Sequence, residues 1–595
     1  MSSPTQQRRR FALVLIKPSH YDDDGYVVQW WRSSIPSNSL ACVYALCAEA
    51  AGREVLGRDV AIDITVIDET NKRVRVNDII ALIRRHDGFG MVGLVGAQSN
   101  QFPRTLDIAR PLRAAGIQVA IGGFHVSGCL AMLPEMQADL KAASDMGCNL
   151  FAGEAEGRID EVLRDAADGA LRPIYRYLDD LPALESTPTP YLPPATLGRI
   201  WKQYSSFDAG RGCPFQCSFC TIINVQGRKS RRRSPDDIEA LIRQHWADGI
   251  RRFFITDDNF ARNRDWEAIF DRIIEIRERD RINVRLLIQV DTLCHRIPNF
   301  IEKAARAGVT RVFIGLENIN PANLIAAKKR QNKITEYRKM LLAWKHAGVI
   351  TYAGYILGFP SDTPESIRVD IEIIKKELPL DILEFFCLTP LPGSEDHKVL
   401  WQQGVAMDPD MNKYDLEHVV ADHPKMTREQ WNDIYRAAWD AYYTSEHQET
   451  ILRRAATTQM GLSRLTAVLF LFANCLAIEG LHPLQCGLVR LKYRRDRRPG
   501  LPLEPIWSFY PKYAFELLSK HARIAKRWIE LDRVARRVRN DPRRKLYADS
   551  ALAAVTDDET ETLDLFTHNA GARGEVVRIN KITALTRGAA APVEP

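Results

Sequence analysis

Two tracts of the chain alternate short apolar runs with helical patterns of hydrophobic and polar residues, and a third is helical almost throughout. In the first tract, to about residue 180, residues 11–16, 62–67, 91–96, 118–121 and 149–151 read as strands. Their alternation with helices predicts an open, flavodoxin-like parallel sheet covered on both faces, with ligands at the carboxyl ends of its strands. Residues 172–204 turn proline-rich, with Pro173, Pro182, Pro188, Pro190, Pro193 and Pro194, which favours extended chain and predicts a linker. From 205 to 425, six further strand candidates (205–209, 253–256, 285–289, 311–315, 351–357 and 382–388) alternate with helical stretches such as 235–246 and 266–279. Six strands with crossover helices predict a partial α/β barrel of the TIM type, with its active face at the strand C-terminal ends. Residues 1–171 then form the first domain, 426–545 a helical domain and 546–595 a weakly ordered tail.

Composition sets limits on this picture. A chain of 595 residues exceeds a single core and suits about three or four domains. Hydrophobic content of 45% and charged content of 26% are ordinary globular values,. The formal charge of +7, from 82 basic against 75 acidic residues, is too mild to mark a nucleic-acid binder. The 11 cysteines are irregularly spaced and no signal peptide opens the chain, which predicts a reducing cytoplasm. The longest apolar run, 465–478, has 14 residues and includes Asn474, against roughly 20 needed to cross a membrane.

The chemistry concentrates in Gly210-Arg-Gly-Cys-Pro-Phe-Gln-Cys-Ser-Phe-Cys220, where Cys213, Cys217 and Cys220 form a C-x3-C-x2-C triplet. Three thiolates so closely spaced can hold three corners of an iron–sulfur cube while one iron stays open to bind a substrate group and pass it an electron. A zinc knuckle and three buried core thiols are the plainer alternatives. Zinc asks for a fourth Cys or His at matching spacing, and the next histidine, His245, falls in a helical stretch.

On this triplet the chain resembles the radical SAM superfamily. There a [4Fe-4S] cluster chelates S-adenosylmethionine (SAM) at its open iron, and reductive cleavage gives methionine and a 5′-deoxyadenosyl radical. Thr256-Asp-Asp-Asn-Phe260 resembles the D-D-N-F form of cobalamin-linked members and implies Asp257 and Asp258 as acceptors for the SAM ammonium,; helix capping is the bland role for either. Gly315-Leu-Glu-Asn318 resembles the family's G-x-E-S element with Asn318 for Ser, implying Glu317 as a SAM contact, or a rim salt bridge with Lys333 as one partner. Gln289 and Asp291 are lesser pocket candidates. Gly354-Tyr-Ile-Leu-Gly-Phe-Pro-Ser-Asp-Thr363 fits G-x-I-x-G-x4-T, which implies that Gly354, Ile356 and Gly358 lie along the adenine, where glycines let a flat ring approach the backbone. Phe219 matches the family's aromatic beside adenine, with a core Phe as the alternative, and Thr389-Pro-Leu-Pro-Gly-Ser394 resembles cobalamin-linked members.

The first tract resembles the cobalamin-binding domain that precedes many radical SAM cores. The loop Asp68-Glu-Thr-Asn71 carries Thr70 where the D-x-H-x-x-G motif places a cobalt-ligating His, so the resemblance implies cobalamin with no protein ligand on its lower face. Ser99 lies where a serine contacts the nucleotide tail, and Gly122-Gly123 where a glycine pair lets that tail pass the backbone. A sheet kept as a platform with no cofactor is the alternative.

In the third tract, 465–478 is followed by Arg490-Leu-Lys-Tyr-Arg-Arg-Asp-Arg-Arg498 and then by Trp507, Phe509 and Tyr510. That combination suits a segment lying on an anionic membrane, although 14 apolar residues are also a normal length for a buried core helix beside a solvated basic loop. The resemblance implies a cobalamin-dependent methyltransferase acting on an unactivated carbon of a lipid or natural-product substrate. It would draw electrons from an external flavodoxin- or ferredoxin-type donor, in the cytoplasm or peripherally at the inner membrane face. A radical SAM cyclase, oxidase or rearrangement enzyme is the first rival. A tRNA methylthiotransferase lacks support, because no three further cysteines sit at successive strand ends, and a cobalamin sensor would not need the triplet.

Overall fold

In the computed structural model, which describes residues 8–458, 460–556 and 562–589 (582–589 as backbone alone), the first tract folds into six parallel strands. The strands to this point in the chain are β1 (Arg9–Lys17), β2 (Gln29–Ser33), β3 (Val60–Asp68), β4 (Gly90–Leu94), β5 (Gln118–Gly122), β6 (Asn149–Ala152) and β7 (Ile174–Arg176). The sheet order is β3-β1-β4-β5-β6-β7, and every neighbour pair is parallel. Helices cover both faces, so the central β1 is buried from Phe11 through Ile16 and its sequence is a continuous apolar run.

The second sheet uses β8 (Tyr204–Phe207), β11 (Arg252–Ile255), β12 (Arg285–Val290), β13 (Val309–Glu317), β14 (Ile350–Leu357) and β15 (Ile382–Cys387). These lie side by side in chain order and all parallel, as an open six-stranded barrel requires. Between β8 and β11 a small antiparallel pair, β9 (Gly210–Arg211) and β10 (Arg231–Arg232), brackets the cysteine loop.

Three expectations are corrected. The proline-rich linker of 172–204 surrenders its start to the first sheet, because β7 pairs with β6 and extends it by one strand. The helical region of 426–545 contains β16 (Gly487–Leu491), which pairs antiparallel with β2 of the first domain. In the expected weakly ordered tail of 546–595, Leu565, Phe566 and Ala572 are buried, and Glu377 of the barrel accepts from the backbone of Asp564 at 2.9 Å and Leu565 at 2.8 Å. The cysteines also depart from a fully reduced set, since Cys475 and Cys486 form a disulfide.

The helix Leu462–Glu479 is, by length and composition, apolar enough to cross a membrane. Its Leu465, Leu469 and Phe472 are buried in the core shared with the barrel, and a third of the helix is buried in all. A 35-residue helix, Ile506–Asn540, packs along it.

The first domain meets the barrel through bare backbone. Gly128, in the helix Phe124–Met132, lies so close to Pro392 and Gly393 after β15 that a Cβ there would stand 2.6 Å from the Pro392 carbonyl. Asn224 seals the contact by donating to the Gly393 carbonyl at 2.8 Å. Replacing Gly128 by Val should therefore cost about 1–3 kcal/mol, the usual penalty for overpacking. Denaturant unfolding checks it, and limited proteolysis should release the first domain sooner in the variant.

Candidate active site

The C-terminal edges of the two sheets face each other across a cavity of about 620 Å³. Asp68, Thr70 and Ser99 reach it from the first sheet; Thr221, beside Cys220, and Thr256 and Asp258, after β11, reach it from the barrel. His482 and Gln485 close it from the third region.

The cysteine loop on its rim is held by its backbone and by two neighbouring loops. Cys213 N–H donates to the Gly227 carbonyl at 3.3 Å, and Ser218 N–H to the Ala327 carbonyl at 3.1 Å. Gln331 donates to the Cys217 sulfur at 3.4 Å. Burial raises the Cys213 thiol to about 11 and the Cys220 thiol to about 12, with the Asp258 carboxylate adding to both. These thiols are protonated when empty, so loading iron must release protons. Among the described residues no three His, Cys, Asp or Glu side chains converge as for a single metal ion; a cubane asks for less, since each thiolate binds a different iron. The donor set fits such a cluster.

The two adjacent aspartates divide their work. Asp257 is buried and fully engaged, accepting from Ala209 N–H at 2.8 Å, Gly210 N–H at 2.9 Å and Asn263 at 3.0 Å. It ties β8 to the start of the cysteine loop with both oxygens already hydrogen-bonded, and it does not line the cavity. Asp258 instead opens onto the cavity, and burial pushes its carboxyl up to about 7.

Glu317 ends β13 in a left-handed conformation, φ +63°. Its carboxylate pairs with Lys329, not Lys333, which instead faces Glu575 at 3.8 Å. The Lys329 ammonium also lies 5.7 Å from the centre of the Phe219 ring. Burial lowers the Lys329 ammonium, but Glu317 and the Cys217 sulfur outweigh it and raise it overall. Phe219 packs on a small apolar cluster of Ala327, Ile356 and Phe359. Gly354 is buried beside Glu317. Gly358 has a packing reason of its own, because a Cβ there would collide with Trp431. Gln289 donates to the Asp257 carbonyl at 3.3 Å, and Asp291 is taken by a bidentate pair with Arg262 at 2.6 and 2.9 Å.

A second, largely apolar pocket of about 190 Å³ adjoins the cavity, and Asn38, Ser39, Gly96 and Phe124 wall both. Gly122 and Gly123 line it with Leu13, Leu15 and Met91. The two glycines differ in kind. Gly123, at φ +150°, abuts the Ala97 backbone and must be glycine for the fold,. A Cβ on Gly122 would make only ordinary contact with Phe151 at 3.4 Å, so its missing side chain serves the openness of the pocket. Ser99 is held by a relay: its hydroxyl lies 3.0 Å from His125 Nδ1, and His125 Nε2 lies 2.7 Å from Asp139. Thr70 turns inward and donates to Asp68 at 2.6 Å. An apolar, glycine-walled slot beside a larger chamber of mixed lining fits the tail and ring of cobalamin.

Residues 209–374 match the Radical SAM superfamily profile. They form a radical SAM domain. Bacteriochlorophyllide d C-8(2)-methyltransferase of Chlorobaculum tepidum is 27% identical over 352 residues, 56% of this chain and 74% of that protein. Hopanoid C-2 methylase of Rhodopseudomonas palustris is 27% identical over 305 residues, 48% of this chain and 53% of that protein. The fold resembles the cobalamin-dependent SAM radical enzyme OxsB with aqua-cobalamin bound, with a TM-score of 0.50, 13% identity, and 95% of this chain and 84% of that one covered. The chain is a radical SAM enzyme related to methyltransferases.

Sequence reasoning missed Arg211, Lys329, Gln331, His125 and Asp139. Arg211 stands inside the cysteine segment, and motif reading passed over it because its partners Glu154 and Glu156 lie 57 and 55 residues away; His125 stands between the glycine pair and Gly128 and belongs to no motif.

Lys329→Met should leave the buried Glu317 carboxylate unpaired and cost about 3–5 kcal/mol of stability. The double variant Lys329→Met/Glu317→Leu should recover most of it, read by urea unfolding. A second expectation concerns pH. Burial lowers the His125 imidazole, but the Cys129 sulfur and the Asp139 carboxylate outweigh it and hold it at about 10, above its unfolded value of about 6.5. This stabilisation is therefore complete below about pH 6.5 and is lost as pH rises through about 10. In Asp139→Asn, melting temperature should fall less steeply across that window than in the parent protein.

Proposed function

We propose that the chain is a cobalamin-dependent radical SAM enzyme that methylates an unactivated carbon of a large, mostly apolar ring scaffold. The observation that supports it most is the nearness of two cofactor-type sites to one chamber: the cysteine-triplet loop reaches it through Thr221 and Ile222, and a glycine-walled apolar pocket adjoins it. When bound, the cluster supplies the electron that cleaves SAM and cobalamin supplies the methyl group. Cys213, Cys217 and Cys220 would hold the cluster. Asp258 would accept from the SAM ammonium, with Phe219, Gly354, Ile356 and Gly358 bordering its adenine side and Glu317, clamped by Lys329, shaping the rim. Ser99, Gly122 and Gly123 would border the cobalamin tail, and Thr70 leaves its lower face without a histidine.

The chain's own share is positioning and exclusion of water. Val28, Ile35, Phe254, Phe386 and Leu391 make much of the chamber wall apolar. Burial lowers His20 to about 4 and His482 to about 3, so both line the chamber uncharged at neutral pH. Such a lining favours a flat apolar substrate with a few polar groups, in keeping with the bacteriochlorophyllide and hopanoid that the names of two relatives specify. An external flavodoxin- or ferredoxin-type protein would deliver the electron.

Anaerobically reconstituted protein should bind about four irons per chain and release 5′-deoxyadenosine from SAM, and Cys217→Ala should abolish both. With cobalamin and substrate, S-adenosylhomocysteine and 5′-deoxyadenosine should form in comparable amounts. Gly122→Leu should suppress the first product while sparing slow SAM cleavage. Turnover that needs no cobalamin and gives no S-adenosylhomocysteine would assign the cyclase or oxidase reading instead.

A further inference from the structure

Among the described residues, nine of the 17 exposed large hydrophobic side chains fall between Leu501 and Ile529. They are concentrated on the helix Ile506–Asn540, where Trp507 is 80% exposed, Phe515 74% and Leu518 72%. At 3.6 residues per turn, Trp507, Tyr510, Phe515, Leu518 and Ile529 fall within an arc of roughly 140°. Ala514, Ala522 and Ala525, also exposed, fill the gaps between them. The helix is therefore two-faced, with Phe509, Leu531, Ala535 and Val538 buried and a continuous apolar stripe open to solvent. A soluble surface rarely leaves such a stripe uncovered without a partner.

The flank of the stripe says which partner. Lys526 lies about 20° beyond the edge of that arc, and Lys512 and Arg523 about 60° and 80° beyond it on the same side; all three are exposed, and Lys526 takes part in no ion pair among the described residues. Half of the upstream basic run, read from sequence as the membrane-facing cluster, is paired: Arg490 with Asp22 at 2.8 Å, Lys492 with Glu516 at 3.1 Å and Arg498 with Asp410 at 2.6 Å, while Arg494 and Arg497 donate to the carbonyls of Glu504 and Asp24. The long helix thus adds its own cationic flank to the exposed Arg495 of that run. An exposed apolar stripe bordered by lysine and arginine matches a lipid surface carrying negative charge, with the helix lying in the plane of the interface. A second copy of this chain would bring the same basic border against itself.

We propose that the outer face of the helix Ile506–Asn540 docks the enzyme on an anionic lipid bilayer. The position is apt for an apolar substrate. Tyr513 of the helix donates to the Arg490 carbonyl of β16 at 2.9 Å. Just before β16, the turn Pro483–Gln485 puts Gln485 and the half-exposed Leu484 into the chamber wall. Docking there sets the chamber wall beside the membrane surface.

Flotation of the full-length holoprotein with vesicles tests this without turnover, so its outcome is independent of the methyltransferase assignment. Vesicles of 70% phosphatidylcholine and 30% phosphatidylglycerol should carry the protein at about 0.1 M salt, where the Debye length is about 10 Å, and phosphatidylcholine alone should carry much less. Lys526→Glu/Arg523→Glu should lower partition by at least twentyfold, since each basic residue near such a surface contributes about fivefold. Trp507→Ser/Phe515→Ser/Leu518→Ser should abolish flotation while SAM cleavage stays unchanged, showing that the fold is intact. Absence of flotation with anionic vesicles, or partition indifferent to both variants, overturns the proposal. So does a dimer of the parent protein that the triple variant breaks and that displaces vesicle binding.

Discussion

A single buried guanidinium joins the parts of this molecule. Arg211, two residues before Cys213, pairs with Glu154 and Glu156 of the first domain, both at 2.6 Å, and with Asp208 of the barrel at 3.2 Å. Glu154 also takes Arg231, so one carboxylate grips both strands of the small pair that brackets the cysteine loop. All of these groups are nearly shut off from solvent. Burial raises the Asp208 carboxyl, but Arg211 and Arg233 outweigh it and hold it well below the usual carboxylate range. Charges buried together are costly to separate, because each one stripped of its partner stays desolvated. The cysteine loop therefore takes its shape only with the first domain docked. Arg211, Glu154 and Glu156 also wall the apolar pocket, so loop and pocket form one mechanical unit.

That coupling explains why the two sheets meet edge to edge. In open α/β sheets, binding loops gather at the carboxyl ends of the strands, and two such edges can share a ligand chamber only if they are turned toward each other. The glycine contact of Gly128 with Gly393 permits the close approach, and the Arg211 network supplies the direction. Residues whose neighbours in sequence look equivalent are then sorted by which way the strand end points. Asp257 turns back to the β8 loop and is consumed by it, while Asp258, one position on, points into the shared chamber.

Much of the fold was legible in the chain. Every strand expected in both sheets is present, because strands buried on both faces are near-continuous apolar runs bounded by polar turns. What escaped was whatever depends on distant partners. β7 has three residues, and β2 and β16 pair across more than 450 residues of sequence; short or edge strands carry too little periodicity to be read. The docked end of the chain, 564–581, was taken for a loose tail because its burial comes from Glu377 and the barrel face. At the site, motif spacing located the cysteine loop and the cavity-facing Asp258 and Ser99. It could not tell Asp258 from Asp257, find the Lys329 partner of Glu317, or foresee that Gly358 serves Trp431.

The third region shows how such a chamber can be closed without charging it. His482 N–H donates to Glu417 at 2.7 Å, and the His482 ring stacks on Phe386 at 4.9 Å. Burial raises the Glu417 carboxyl well above its ordinary range and lowers the imidazole, so both groups favour their neutral forms. The wall therefore gains polar recognition groups without fixed charge. A charged wall would order water in the chamber, and ordered water is what radical chemistry must exclude and what an apolar ring must displace. A helical lid that pairs its own basic residues with Asp22, Asp410 and Glu516 keeps those charges out of the chamber and leaves its outer, apolar stripe free for another surface.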